Sequence, residues 1–334
     1  MTTGECGRFR VAKSPSDREA AAFVFDPDSP PTPACHAPTI AALPDRLVAA
    51  WFAGSHEKNP DVGIWCAINR NDRWETPRQV ADGWGEACWN PVLCNTAAGL
   101  HLFYKVGVSP ARWRGAVLTS TDGGETWRDR GELPAPWLGP VKNKPLALAN
   151  GDLLCPSSRE AGGWRCHFET FSPDLERLAE SAVPDPGDLK AIQPAAYKRG
   201  DTFEALARTK SGCIGLTRSP DGRRWSALER TELPNPNSGI DAVNLPDGRA
   251  LLVYNPATTP EGRWGGARTP IALALSGNDG AWRDVMTLDD DASEPDGGAP
   301  EFSYPAVICD EAIHVVYTWH RRTIKHVRVT ADEL

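Results

Sequence analysis

Six polar side chains occupy matching places in this chain: His36, Asn90, Lys144, Gln193, Asp241 and Tyr304. Each sits in a short phrase that opens an apolar run: Cys35-His36-Ala37-Pro38, Trp89-Asn90-Pro91-Val92, Asn143-Lys144-Pro145-Leu146, Ile192-Gln193-Pro194-Ala195, Ile240-Asp241-Ala242-Val243 and Ser303-Tyr304-Pro305-Ala306. An imidazole, a phenol, a carboxylate, an ammonium and two amides form an acid/base and hydrogen-bonding set if the fold gathers them. Lys105 and Arg208 close strongly apolar runs, Leu102-Phe103-Tyr104 and Ala205-Leu206-Ala207. A cation there is costly unless an anion, from the protein or from a ligand, meets it. Glu57, Asp61, Glu160, Asn255, Trp319 and Arg321 lie at the ends of later runs and in the loops after them, a second layer for the same centre.

The elements that must position these groups are short strands. Each phrase is followed by a turn and an alternating apolar run: Asn150-Gly151 leads into Asp152-Leu153-Leu154, and Asp247-Gly248 into Ala250-Leu251-Leu252-Val253. Turn residues between period-two runs are hairpin signals. The phrase returns at an interval of about fifty residues, the length of a repeat built from hairpins alone. A second mark falls late in the repeats. Ser120-Thr121-Asp122-Gly123-Gly124-Glu125-Thr126-Trp127 is a full Asp-box; Ser219–Trp225 and Ser276–Trp282 are variants, and Asn71–Trp74 and Ser172–Leu175 are worn forms. Asp closes such a turn, Gly takes positive φ and Trp packs between sheets, so these residues read as scaffold.

The expected fold is all-β, a six-bladed β-propeller of four-stranded antiparallel blades, with residues 1–334 as one domain and the N-terminal segment completing the last blade. In a propeller the innermost strands line a central channel, so the six phrase residues converge on one pocket, joined by Trp89, Asn143 and Ser303.

Composition narrows the partners. Forty per cent hydrophobic residues over 334 positions suffice for a large core, and thirty Gly, thirty Pro and thirteen Trp suit turns and aromatic-packed sheets. A net charge of −8 with no Lys/Arg block argues against nucleic acid. No stretch has the length and apolarity of a membrane span, and the first residues lack an apolar signal core, so the chain as given reads as cytoplasmic. Nine cysteines without a C-x-x-C pair indicate neither a disulfide framework nor a zinc site. No cofactor and no metal are expected, and nothing in the sequence sets an oligomeric state.

With its inner strands and Asp-boxes, the chain resembles the sialidase superfamily, in its BNR-repeat, sialidase-like branch, over roughly residues 33–330. The resemblance implies a six-bladed propeller that holds a sugar carboxylate with arginines. Arg208, in Ala207-Arg208-Thr209, resembles the second arginine of that family and Arg268 the third. Phe302-Ser303-Tyr304 is similar to the segment bearing the nucleophilic tyrosine. Asp61 is the nearest match to the acid/base aspartate, with Glu57 its rival. His36-Ala37-Pro38 stands where the first arginine belongs, and Gln193 stands where the tyrosine's glutamate partner belongs.

These residues support hydrolysis of a glycosidic bond at an acidic sugar, in an acidic oligosaccharide or glycoside, by a protein that is not a strict sialidase. The set is His36, Tyr304, Asp61 and Glu57 for catalysis, and Arg208, Arg268, Asn90, Lys105, Lys144, Glu160, Gln193, Asp241, Trp319 and Arg321 for substrate. Two alternatives stand beside it: β-elimination from a uronate with His36 or Tyr304 as base, and a non-catalytic carbohydrate-binding propeller in which Trp89, Trp113, Trp137, Trp164, Trp264 and Trp319 supply stacking faces.

Overall fold

The computed structural model describes residues 21–184, 187–277, 279–290 and 299–334. Part of the variant Asp-box at Asn278 and part of the loops at 183–187 and 289–298 lie outside the described residues. Six antiparallel sheets follow one another along the chain, here blades I to VI. Their innermost strands are Ala34–Leu43, Cys88–Thr96, Leu146–Ala147, Ala191–Arg199, Asp241–Asn244 and Phe302–Cys309. The expected all-β, six-bladed architecture is the observed one, with a single short 3-10 turn at Ala331–Glu333 among the described residues. Blade I departs from the four-stranded pattern, because Arg78–Ala81 adds a fifth strand beside Arg73–Trp74. Blade VI takes its outermost strand, Ala21–Phe23, from the other end of the chain, paired with Thr323–Val329.

Apolar side chains fill the six interfaces between neighbouring blades rather than one central core. Leu102, Tyr104 and Val106 pack with Ile64 and Phe52 between blades I and II, while Trp51, Ile40, Val316 and Ile324 join blade VI to blade I. The Asp-box tryptophans reach back to the preceding blade: Trp225 stacks on Phe168 with ring centroids 3.7 Å apart, Trp282 meets Tyr197 edge-on, and Trp74 meets His326. In the full box, Ser120 Oγ receives the Gly124 amide and Asp122 receives the Thr126 amide and hydroxyl, as a closed turn requires.

The proline phrase has a defined local structure. In blades I, II, IV and VI the inner-strand register slips, between His36 and Thr39, Trp89 and Val92, Ile192 and Ala195, and Ser303 and Ala306. The residue before each proline takes a left-handed φ: 53° at Ala37, 35° at Asn90, 55° at Gln193 and 51° at Tyr304. Proline disfavours a helical predecessor, and an added residue in one strand makes a bulge that redirects a side chain. A left-handed non-glycine residue costs about 1–3 kcal/mol, so the surrounding contacts must hold these four in place.

Candidate active site

Two of those bulges aim side chains at one guanidinium. Arg208, 2% exposed at the end of strand Thr202–Thr209, donates to the Tyr304 phenol oxygen at 2.7 Å, to Asn237 Oδ1 at 2.7 Å and, at 3.4 Å, to Gln193 Oε1. All three partners are neutral. Asn237, itself left-handed at 60°, is held by the bond from its Nδ2 to the Trp264 carbonyl. The Arg208 guanidinium also lies over the rings of Trp164, Trp264 and Tyr304 at 5.3, 5.6 and 5.8 Å, and Arg268 faces Tyr304 at 5.6 Å. A phenol flanked by two guanidiniums is the centre of the site.

A second node forms on Glu301, which sequence reading missed. Its Oε1 accepts from Arg268 Nη1 at 2.6 Å and from Ser303 Oγ at 2.6 Å, and its Oε2 accepts from Arg321 Nε at 3.0 Å. Arg321 sits in a turn with His320 where both residues are left-handed (57° and 50°), which brings its side chain back over the channel. There it also donates to Glu57 Oε2 at 2.7 Å. Burial would raise the Glu301 carboxyl, but the Arg268 and Arg321 guanidiniums, with the Ser303 hydroxyl, hold it well below the usual range.

His36 is buried, its ring 4.3 Å from that of Tyr304 and edge-on to Phe52. Burial, then the Arg321 guanidinium, hold its pKa well below 6.5 against the pull of Glu301, with Arg268 and Arg208 acting the same way as Arg321. The imidazole is therefore neutral at physiological pH. Its Nε2 lies 3.4 Å from Arg321 Nη2, which assigns the proton to Nδ1, where no hydrogen-bond partner is present and Glu301 Oε1 is 3.9 Å away. With His36 neutral, the two guanidiniums carry the effect on Glu301.

Lys142 is a further group the sequence did not announce. Its buried Nζ donates to Asn143 Oδ1 at 2.9 Å, to the Ile240 carbonyl at 2.7 Å and to the Pro305 carbonyl, and so ties blades III, V and VI at the hub. Burial pushes its pKa down to about 7, against Asp241, while three acceptors match the three N–H bonds of an ammonium. Gly239 lies between Lys142 and Tyr304: a Cβ there would come within 3.3 Å of both side chains.

The remaining expected residues divide. Gln193 is at the centre, but its amide cannot accept a proton. Glu160 lies near it, accepting from the indole of Trp164, which faces Arg208. Glu57 points in through Arg321. Asp61 does not: both its oxygens are taken by Ser55, amide and hydroxyl, at 2.8 Å on an exposed loop, and these bonds lower its pKa. Lys144 and Asp241 pair with each other at 2.9 Å, and Asp241 also accepts the Ala242 and Val307 amides, so that pair joins blades III, V and VI rather than meeting Tyr304. Lys105, fully buried, donates to the Pro140 carbonyl at 2.9 Å between blades II and III, since alternation places it on the face of Phe103. Asn90 is buried at its bulge, left-handed at 35°, and among the described residues no hydrogen bond joins it to Arg208. Trp319 packs edge-on to Phe23 in the outer part of blade VI. Of the aromatic faces, Trp89 and Trp113 pack on each other and Trp137 on Phe171; Trp164 and Trp264 border the cluster, and Trp264 is 63% exposed.

Among the described residues, one group has metal-ligand proximity: His167, Glu169 and Glu180 in blade III, within 4.8 Å of one another. Its oxygens are engaged already, Glu180 by Arg159 and Glu169 by His167 and by the Leu138 and Gly139 amides.

The model of the BNR repeat-like domain matches residues 45–315. The chain belongs to the BNR repeat-like family. No curated protein matches it in sequence. Among solved structures, this BNR repeat-like propeller is similar to the NanB sialidase of Streptococcus pneumoniae (TM-score 0.69, 13% identity, 95% of this chain and 71% of that one). It is also similar to the intramolecular trans-sialidase of Ruminococcus gnavus (0.67, 15%, 90% and 95%). Trypanosoma rangeli sialidase matches at 0.67 and 13% identity over 90% of this chain, which spans 55% of that protein's length. The BNR repeat-like chain shares the sialidase propeller fold with all three.

Proposed function

We propose that this protein is a carbohydrate-active enzyme that cleaves a glycosidic bond at a carboxylate-bearing sugar. The observation that supports this reading most is Arg208: a buried guanidinium whose three hydrogen-bond partners are neutral, facing a half-buried phenol. Burying a charge without a counter-ion is costly, and a ligand carboxylate would offset that cost. The guanidinium fork suits bidentate binding of such a group. The fold shared with proteins named as sialidases accords with a sugar acid as ligand.

In the hydrolytic form, Arg208 and Arg268 receive the sugar carboxylate and Tyr304 attacks the anomeric carbon. The glycosidic C–O bond breaks, the leaving oxygen takes a proton, and water later releases the sugar. Gln193 cannot take the phenol proton, and the guanidiniums around His36 oppose an imidazolium, so the half-buried phenol gives its proton to water. The Arg208 N–H bond strengthens as negative charge grows on the phenol oxygen.

The Gln193 substitution also favours a second reading, β-elimination from a uronate. There the arginines neutralise the carboxylate, Tyr304 gives its own proton to water and as a phenolate takes the C5 proton, the C4–C5 double bond forms, and the C4–O bond breaks with its electron pair going to the leaving oxygen, which takes a proton from water. One assay separates the two: acidic oligosaccharides incubated with enzyme and read for reducing ends and for an ultraviolet-absorbing unsaturated uronate. Reducing ends without that chromophore indicate hydrolysis, and both together indicate elimination. Equal turnover of the sugar methyl esters would overturn the carboxylate reading. Binding with no turnover, unchanged in Tyr304→Phe, would leave a lectin.

A further inference from the structure

A leaving oxygen needs a proton, and the candidate carboxyl groups are Glu301, Glu57, Asp61 and Glu160. Three are committed. Glu301 bridges Arg268 and Arg321; Glu57 pairs with Arg321; Asp61 is held by Ser55. A carboxylate fixed by cations or by amide and hydroxyl donors gives up its proton too readily to hold one near neutral pH. Glu160 differs. Among the described residues no cation lies within ion-pairing distance of its carboxyl, which accepts one bond, from the Trp164 indole at 3.2 Å.

Local structure puts that carboxyl beside the site. Glu160 follows strand Leu153–Arg159 and begins a turn closed by the Gly163 amide on the Glu160 carbonyl, which returns Trp164 over it. Trp164 in turn carries Arg208 and Lys210 on its ring, at 5.3 and 4.2 Å. On the other side Pro110, Ala111, Trp113, Pro136 and Leu138 form an apolar wall. The adjacent Arg159 is turned to Glu180. Glu160 and Tyr304 thus approach Arg208 from different blades, III and VI.

We propose that Glu160 is the proton donor to the leaving oxygen, an inference that rests on the glycosidic-cleavage reading above. As the C–O bond breaks, its electron pair goes to the aglycone oxygen, which takes the proton of the Glu160 carboxyl. The carboxylate left behind faces Arg208 and Lys210, which stabilise it. In hydrolysis of the sugar–enzyme intermediate the incoming water gives its hydroxyl to the sugar and a proton to Glu160, the released Tyr304 phenolate regains its proton from solvent, and the cycle balances. Burial raises this carboxyl above its ordinary range; Arg208, the Trp164 indole and Lys210 oppose that rise without cancelling it.

The test is a series of aryl glycosides of a carboxylate-bearing sugar with leaving groups of graded acidity, on wild type, Glu160→Gln and Glu160→Asp. The expected result for Glu160→Gln is about a 1,000-fold loss of kcat/KM with the least acidic leaving groups and near-wild-type turnover with the most acidic. Wild-type activity should fall as pH rises through the titration of the acid, and Glu160→Gln should lack that fall. Glu160→Asp should keep both features in weaker form. The affinity for the free sugar acid should be unchanged in both variants. An equal loss across all leaving groups with raised KM, or no loss, would overturn the role of Glu160 alone. A wild type that turns over none of the series would overturn the cleavage reading, and this proposal with it.

Discussion

Arg208 and Tyr304 meet at 2.7 Å although they belong to blades IV and VI. The counterpart of Arg208 in blade II is Lys105: Arg208 pairs in register with Ile192 and Lys105 with Trp89, both just before the bulge. Lys105 has a backbone carbonyl to bind, and burial holds its pKa down to about 7 despite Glu169. Arg208 has only neutral partners. Arg208→Lys should therefore raise KM for the acidic sugar about 100-fold, or about 3 kcal/mol, because a point charge cannot serve Tyr304, Asn237 and a ligand carboxylate together. Steady-state kinetics with the sugar acid and its methyl ester would check this, the ester being little affected.

Lys142→Met should destabilise the fold by about 3 kcal/mol, since it leaves the Asn143, Ile240 and Pro305 oxygens without their shared donor. Urea unfolding gives the value. Because Pro305 follows Tyr304, kcat should drop as well, while Lys144→Met, whose ammonium is held by Asp241 and the Ala242 carbonyl, should lower stability and spare kcat.

Stability should decline on acidification in two windows. His36 and His326 are buried neutral, His326 held at about 3 by burial, His314 and Arg328. Below about 6.5 the unfolded chain binds protons that the native imidazoles refuse, so the unfolding free energy falls as pH drops toward 3. Glu301 has a depressed carboxyl pKa; its contribution is present above about 4.3 and is lost below that, in the same direction. Urea midpoints should be lower at pH 5 than at pH 7.5, and His326→Asn should flatten that difference.

Trp225→Ala should cost about 3–5 kcal/mol, because the indole is 6% exposed and stacked on Phe168 of the neighbouring blade. Thermal unfolding would show the loss, and kcat/KM of the remaining folded protein should stay near wild type, as scaffold requires.

The fold was legible because its two signals are local. A pre-proline residue at an inner-strand bulge and a glycine-bearing turn before a tryptophan each report their own backbone, and both recur. Arg208 and Tyr304 were legible through the same repeat. Glu301 was not, because it lies before the repeated phrase and gains its meaning from Arg268, Ser303 and Arg321, which only the closed ring assembles. Lys142 was obscured by Lys144, two positions on at the phrase itself: in blade III the inner strand is just Leu146–Ala147, no bulge forms at Lys144, and the hub is reached by Lys142 instead, left-handed at 80°. Asp61 and Glu57 could not be separated by sequence, since one loop carries both and the Ser55 bonds that hold Asp61 are made within that loop.

Blade I is fastened to blade VI by the Cys35 amide on the Arg321 carbonyl and by the Ala37 amide on the Thr318 hydroxyl. His36 and Glu57 come from one side of that junction, Tyr304, Glu301 and Arg321 from the other. A circle that has not shut consequently leaves that cluster of side chains unassembled, whatever the order of its separate sheets. Any anionic sugar that grips both flanks should act as a clasp, raising the melting point in proportion to its occupancy.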